Sequence, residues 1–345
     1  MMSGLGAVAA TETEGGYDPV SGLPFPTLAD VHRARPIVDR HLRRTPLLAS
    51  PALDERLGFR CLVKCENLQP IGAFKVRGGV VLMDSLSPAE RARGVVTAST
   101  GNHGQSIAWA ARAYAVAARI YMPEQANPLK VASMRRFGAE VVCAGADFDS
   151  CRELAAADAA SSGALYVETA NAPRLIAGVG TYTLEVLEEA PDLDVLFVPI
   201  GGGSGACGAC IAGKGTKPDL RVIGVGATGA PAGYETWVNR SFVNHDRVET
   251  FAEGVATRQP ASLTSAILWR DLDDFRLVDD GQMRRAILTL LETTRLLAEG
   301  AGAAALAAAH AMRDDLAGRT VGVVLSGGNL TLGALADALA TERPW

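Results

Sequence analysis

The sequence predicts an α/β protein of two lobes, each an open and mainly parallel sheet flanked by helices. Three observations carry that expectation. From Gly94 onward, short apolar runs alternate with helical patterns, as the crossover connections of a parallel sheet require. A second series of the same kind begins at Val195. The length, 345 residues, exceeds one average domain and allows a core in each lobe.

Taken in order, residues 1–24 are rich in Ala, Gly, Thr and Glu without an apolar period and read as a mobile tail, with order beginning near Thr27. Leu28, Val31, Ile37, Val38 and Leu42 then fit an amphipathic helix that Thr27 caps and Thr45-Pro46 closes. Residues 61–65 make a short strand, the chain turns at Gln69-Pro70-Ile71-Gly72, and a helix starts across Ala73-Phe74-Lys75-Val76. In the first series, strand 95–98 precedes helix 106–115, strand 118–122 precedes helix 127–137, and strand 140–143 precedes helix 147–160. The second series has strands at 195–200, 221–225, 274–278 and 320–325. Residues 25–93 with 172–345 are expected to form a larger lobe and residues 94–171 a smaller one. The ligand belongs in the cleft between them.

Composition excludes several classes of function. Hydrophobic residues are 48% and charged residues 21%, as in ordinary globular proteins. A formal charge of -5 gives no sign of a basic surface for nucleic acid or an anionic membrane. No apolar run reaches the length of a membrane span, and the start at Met1 lacks signal-peptide regions, so a cytoplasmic protein is expected. The six cysteines are accordingly read as reduced thiols. Cys207 and Cys210 have redox or zinc-ligand spacing, but with no second pair or nearby His they read as compact packing residues.

Four stretches carry chemistry, and three of them directly follow an expected strand, where open α/β sheets place their ligands. Lys75 lies just past a turn at a helix N-terminus, where the macrodipole disfavours its charge, which makes it a candidate Schiff-base nucleophile. Ser99-Thr100-Gly101-Asn102-His103-Gly104 offers free backbone N–H groups, hydroxyls and an amide at a helix start expected near Gln105. His103 is there either a base or a structural hydrogen-bond partner. Pro199-Ile200-Gly201-Gly202-Gly203-Ser204-Gly205 opens a helix with unobstructed N–H groups, a natural phosphate cradle. Gly203, Gly205 and Gly208 also match a dinucleotide fingerprint, yet no acidic residue follows at the ribose position, which disfavours a dinucleotide. Ser326, in Ser326-Gly327-Gly328-Asn329, either caps the next helix or donates a hydrogen bond to a heterocycle.

Together, ENLQPIGAFKVRGG, STGNHGQ, PIGGGSG and SGGN resemble the pyridoxal-phosphate enzymes of fold type II, the tryptophan synthase beta-like architecture. The resemblance is greatest to the serine/threonine dehydratase and serine racemase family, and it runs from about residue 45 to residue 330. It implies pyridoxal 5'-phosphate as cofactor, with Lys75 as its covalent anchor and later as base at the substrate Cα. Phe74 and Gly254 would lie on the two faces of the cofactor ring, and Asn102 would meet the ring hydroxyl. Gly201, Gly202, Gly203 and Ser204 would hold the phosphate. Ser326 would face the pyridine nitrogen, where a hydroxyl does not keep that nitrogen protonated and so favours β-elimination over transamination. Ser99, Thr100, Gly101, Asn102 and His103 would receive the substrate amino acid.

The activity implied is an ammonia-lyase converting a β-hydroxy amino acid such as L-threonine or L-serine to a 2-oxo acid and ammonia. An amino-acid racemase is the alternative, with Thr100 delivering a proton opposite Lys75. A β-replacing synthase and a non-catalytic amino-acid sensor follow. The resemblance also implies a homodimer. Three departures stand out: Ala73 replaces a frequent Ser, Thr100 replaces another, and Gly226 stands where many relatives carry a Glu that helps hold a cation, so no metal is expected there. With about 20 residues left after Ser326, no regulatory domain is expected beyond it.

Overall fold

The computed structural model describes residues 16–126 and 128–345. In chain order the elements are α1 (Leu28–His41), β1 (Leu47–Ala49), α2 (Pro51–Leu57), β2 (Arg60–Cys65), α3 (Val76–Asp84), α4 (Pro88–Arg93), β3 (Val95–Ala98) and α5 (Asn102–Ala113). There follow β4 (Ala118–Met122), α6 (Pro128–Arg136), β5 (Glu140–Cys143), α7 (Phe148–Ser162), β6 (Leu165–Tyr166), α8 (Pro173–Glu189), β7 (Val195–Pro199) and α9 (Ser204–Thr216). The last third holds β8 (Arg221–Ala227), α10 (Ala232–Asn239), α11 (Ser262–Asp271), β9 (Asp274–Val278), α12 (Asp280–Thr294), α13 (Gly300–Ala311), β10 (Thr320–Leu325) and α14 (Leu332–Thr341).

Six strands form one sheet in the order β1-β2-β10-β7-β8-β9, parallel except for β1, and four form a parallel sheet in the order β5-β4-β3-β6. Both faces of the larger sheet are covered, which is why its strands read as nearly continuous apolar runs. Alternate residues such as Val63, Phe197 and Val323 pack with α12 and α13, while Leu62, Leu196 and Val324 pack with α8 and α9. The alanines of α13 let that helix lie close on the sheet. The smaller sheet packs Val95 and Ile120 against α5 and α6, and Val96 and Ala98 against α7.

Several expectations are corrected in detail. Residues 16–24, read as part of a mobile tail, hold an isolated bridge between Tyr17 and Pro24, and Asp18 caps their turn through the Ser21 N–H at 2.9 Å. The tail reading for residues 1–15, and the helix start at Asn127, lie outside the described residues. Short strands β1 and β6 escaped the sequence reading because runs of three and two residues carry no measurable period. Helix α5 begins at Asn102 rather than near Gln105. All four strands of the smaller sheet lie between residues 95 and 166, and α3 joins the two sheets' layers by packing on both α5 and α8. Glycines permit that: a Cβ on Gly78 would come within 2.8 Å of the Leu175 carbonyl oxygen, and one on Gly79 would collide with Ser106 Oγ.

Candidate active site

The C-terminal ends of β2, β10, β7 and β3 deliver the polar stretches to one cleft. Strands β2 and β10 pair in register through Cys65 and Leu325, so Glu66 and Ser326 emerge side by side. Ala73 then bridges Gly327, and the Phe74 N–H donates to the Ser326 carbonyl at 3.0 Å. Lys75 is thereby fixed at the N-cap position of α3, and Ser106 of α5 donates its hydroxyl to the Lys75 carbonyl at 2.7 Å. Its Nζ lies 5.3 Å from the centroid of the Phe74 ring.

Lys75 lines a cavity of about 950 Å³ together with Phe74, Ser99, Thr100, Gly101, Asn102, His103, Gly201, Gly202, Gly203, Ser204, Gly254 and Ser326. Every residue singled out in the sequence for a site role borders this one space. Burial draws the Lys75 pKa down to about 8. Desolvation disfavours the charge, and the place of Lys75 at the N-terminus of α3 works in the same direction.

Within the cluster the residues do different things. Ser99 Oγ accepts from the N–H groups of Gly104 at 2.8 Å and Gly101 at 3.2 Å, so its oxygen shapes the loop. His103 makes a structural hydrogen bond. Thr97 spends its proton on the Val167 carbonyl at 2.7 Å and therefore accepts from His103 Nε2–H at 3.1 Å, which fixes the tautomer. Burial, assisted by Lys75, pushes the His103 pKa down to about 3, so the ring is neutral. Ser326 does not cap the next helix either, since Thr331 caps α14, and its buried hydroxyl is left to border the cavity. Cys207 and Cys210 are buried and burial raises both pKa values, which makes them packing residues.

The donor set fits pyridoxal phosphate. The loop from Gly201 to Ser204 ends at the N-terminus of α9, whose first N–H groups have no intrahelical partner and aim at an anion. Gly203 has φ +92°, and a Cβ on Gly201 would collide with the Gly254 carbonyl oxygen, so the cradle is closed to side chains. Phe74 backs it, 3.2 Å from where a Gly205 Cβ would stand, and Tyr182 meets Phe74 edge-on while donating to the Gly205 carbonyl at 2.8 Å. A glycine-walled helix N-terminus, a lysine of lowered pKa and a neutral hydroxyl thus share one cavity.

Two residues of the site went unassigned in the sequence reading, Glu299 and Asn329. Asn102 Nδ2 donates to Glu299 Oε1 at 2.7 Å, and Asn329 Nδ2 donates to Asn102 Oδ1 at 2.7 Å. The available signal was a single acid directly preceding the apolar run Gly300 to Ala309. Among the described residues, no group of three or more His, Cys, Asp and Glu side chains is arranged to hold a metal ion.

Fold and site together define a cofactor-dependent α/β enzyme, and a family model described as "Pyridoxal-phosphate dependent enzyme" matches residues 38–327. The chain belongs to that family, and its cofactor is pyridoxal phosphate. It is 42% identical over 292 residues to an L-threonine ammonia-lyase of Geobacter sulfurreducens, covering 84% of this chain and 72% of that one. The processed form of threonine deaminase isoform 2 from Solanum lycopersicum superposes with TM-score 0.87 at 30% identity, covering 91% of each chain. Maize serine racemase superposes with TM-score 0.85 at 28% identity, covering 91% of this chain and 97% of that one.

Proposed function

We propose that this protein is an ammonia-lyase that converts a β-hydroxy amino acid such as L-threonine or L-serine to a 2-oxo acid and ammonia. The observation that carries the reading is an unpaired, half-buried lysine of lowered pKa sharing one cavity with a neutral serine hydroxyl and a glycine-walled anion subsite. The similarity to a curated L-threonine ammonia-lyase over most of both chains supports the same reaction.

When bound, pyridoxal phosphate supplies an electrophilic aldehyde and a ring that withdraws electrons from the substrate Cα. Lys75 would be its covalent anchor and the base at the substrate Cα, a role that needs the amine uncharged. Gly201, Gly202, Gly203 and Ser204 would hold the phosphate, Phe74 and Gly254 would flank the ring, and Asn102 would donate to its hydroxyl oxygen. Thr100 and the N–H groups of Asn102 and His103, at the start of α5, would receive the substrate carboxylate. Ser326 would offer the ring nitrogen a neutral hydrogen bond in place of a carboxylate, which suits β-elimination better than transamination.

A racemase is the second reading, favoured by Thr100 at the cavity wall and by the likeness to serine racemase. Incubating the protein with L-threonine and L-serine, with and without an added thiol, tests the choice. Rapid 2-oxo acid formation is expected; a dominant D-enantiomer or thioether product would overturn the lyase. The reading includes a homodimer, with exposed Leu332 and Leu339 on α14 as its candidate apolar contact and sedimentation as the test, and a cytoplasmic location, which cell fractionation checks. It also includes no cation at Gly226, where a Cβ would already crowd Phe275 at 3.1 Å and Leu277 at 3.2 Å. Chelation should leave activity intact, and a loss restored by magnesium or calcium would count against that.

A further inference from the structure

A backbone carbonyl fixes the polarity of the hydrogen-bond chain beside Lys75. Asn329 Nδ2 lies 2.9 Å from the Ile71 carbonyl oxygen, which only accepts, so the amino end of Asn329 faces it. That same nitrogen lies 2.7 Å from Asn102, which must therefore present its oxygen. The Asn102 amino group then faces Glu299 at 2.7 Å, where Glu299 has to accept. One N–H of Asn102 is left over for the cavity. Glu299 itself is held in place, since its N–H donates to the Gly327 carbonyl at 3.0 Å and it occupies the N-cap position of α13.

We infer that Glu299 is a positioning residue that acts through Asn102, fixing the amide that meets the cofactor ring oxygen and setting the charge behind it. This rests on the reading of Asn102 as the ring-oxygen partner. Burial raises the Glu299 carboxyl to about 7, opposed by the Asn102 hydrogen bond and by Lys130 on α6, and assisted by Glu253 on the turn packed against α13. The carboxyl is therefore neutral below neutral pH and ionised above it, one amide away from the ring oxygen. Lys75 faces the same cavity, and His103 stays neutral throughout. A group merely filling space would leave no such mark on the bound cofactor.

The test uses substrate-free holoenzyme and the visible absorbance of its cofactor as a function of pH. The parent is expected to show a spectral transition with a midpoint near 7. Glu299→Gln keeps the acceptor but removes the charge, so the protein should fold, hold cofactor and lose that transition. Glu299→Ala removes the acceptor and should weaken cofactor binding to the apoprotein about tenfold, more than the Gln variant does. A transition near 7 that persists unchanged in Glu299→Gln, or equal cofactor affinity in both variants, would overturn the inference. If threonine and serine yield no 2-oxo acid while the transition still vanishes in Glu299→Gln, the proposed reaction falls and the role of Glu299 stands.

Discussion

Lys75 and Arg77 are cations two residues apart at the start of α3, and their surroundings differ in one respect above all. Arg77 is fully buried among carboxylates, with Glu66 at 2.7 and 2.8 Å and Glu185 at 2.7 and 2.8 Å. Lys64 completes the group with Glu185 at 2.5 Å, so two cations face two anions in the interior. No ion pair involves Lys75 among the described residues, and the cavity beside it is open to a ligand. The outcomes are opposite. Burial works against the Arg77 charge, but Glu66 and Glu185 outweigh it and hold the guanidinium protonated, whereas burial alone draws Lys75 down to about 8. A partnered buried charge anchors the helix; an unpartnered one is available for chemistry.

The largest effect expected from breaking this contrast is on turnover. Lys75→Ala should lower kcat by about 10³-fold or more while leaving thermal stability no worse, since it removes an unpaired, half-buried amine. Borohydride treatment should no longer fix cofactor to the chain. The sign of the pH dependence follows from the lowered pKa. Below about 8 the amine is protonated and unreactive, so cofactor capture by the parent apoprotein should accelerate as pH rises through 8. A borohydride-stable adduct in Lys75→Ala would assign the anchor to another residue.

Arg77→Leu should do the reverse, destabilising the fold by about 3–5 kcal/mol because Glu66 and Glu185 lose their shared partner in the interior. Denaturant unfolding of the holoenzyme measures it. Replacing Lys64, Glu66, Arg77 and Glu185 together by apolar residues of similar volume should recover much of that loss. If that variant is stable but loads cofactor poorly, the cluster serves to place Lys75 rather than to hold the fold.

The sequence made one half of this contrast readable. Lys75 stood out because a strand, a turn and a helix start surrounded it, and the glycine loops showed themselves by composition. The strands of the larger sheet were legible because both faces are buried, which turns period two into plain apolar runs. The ion cluster was not legible, since Lys64, Arg77 and Glu185 meet only through the packing of β2, α3 and α8. Lys64 interrupts an apolar strand, and that was the one local sign. Glu299 stayed hidden for the same reason: its partners Asn102 and Asn329 come from distant loops. Desolvation of Lys75 could not be read in the sequence, because it is a property of the assembled cavity.

A smaller effect is expected at Ser326, which tests whether neutrality matters on the cofactor side as charge does behind it. Ser326→Asp should shift product partitioning away from ammonia release towards transamination, on the order of tenfold. Ser326→Ala should be milder, as a neutral hydrogen bond contributes about 0.5–1.5 kcal/mol. Unchanged partitioning in Ser326→Asp would leave the hydroxyl without an electronic role.

The smallest effect is expected at the cavity rim, where ion pairs are as numerous as in the interior but wet. Lys130 on α6 pairs with Glu253, and Arg258 pairs with Asp149 on α7 and lies 3.6 Å from Asp147, joining the smaller sheet's helices to the 253–258 segment. Glu253 is 64% exposed, so salt screens its pair and the contribution to stability should be about 0.2–1 kcal/mol at most. Glu253→Gln should therefore barely move the unfolding midpoint, and raising ionic strength should mimic it in the parent while having little further effect on the variant. Chemistry should respond in a specific direction. Glu253 raises the Glu299 carboxyl and Lys130 lowers it, so removing Glu253 and freeing Lys130 should shift the spectral transition of the bound cofactor to lower pH. A loss of stability rivalling that of Arg77→Leu would show that the rim pairs carry structural load and that burial is not what separates the two regions.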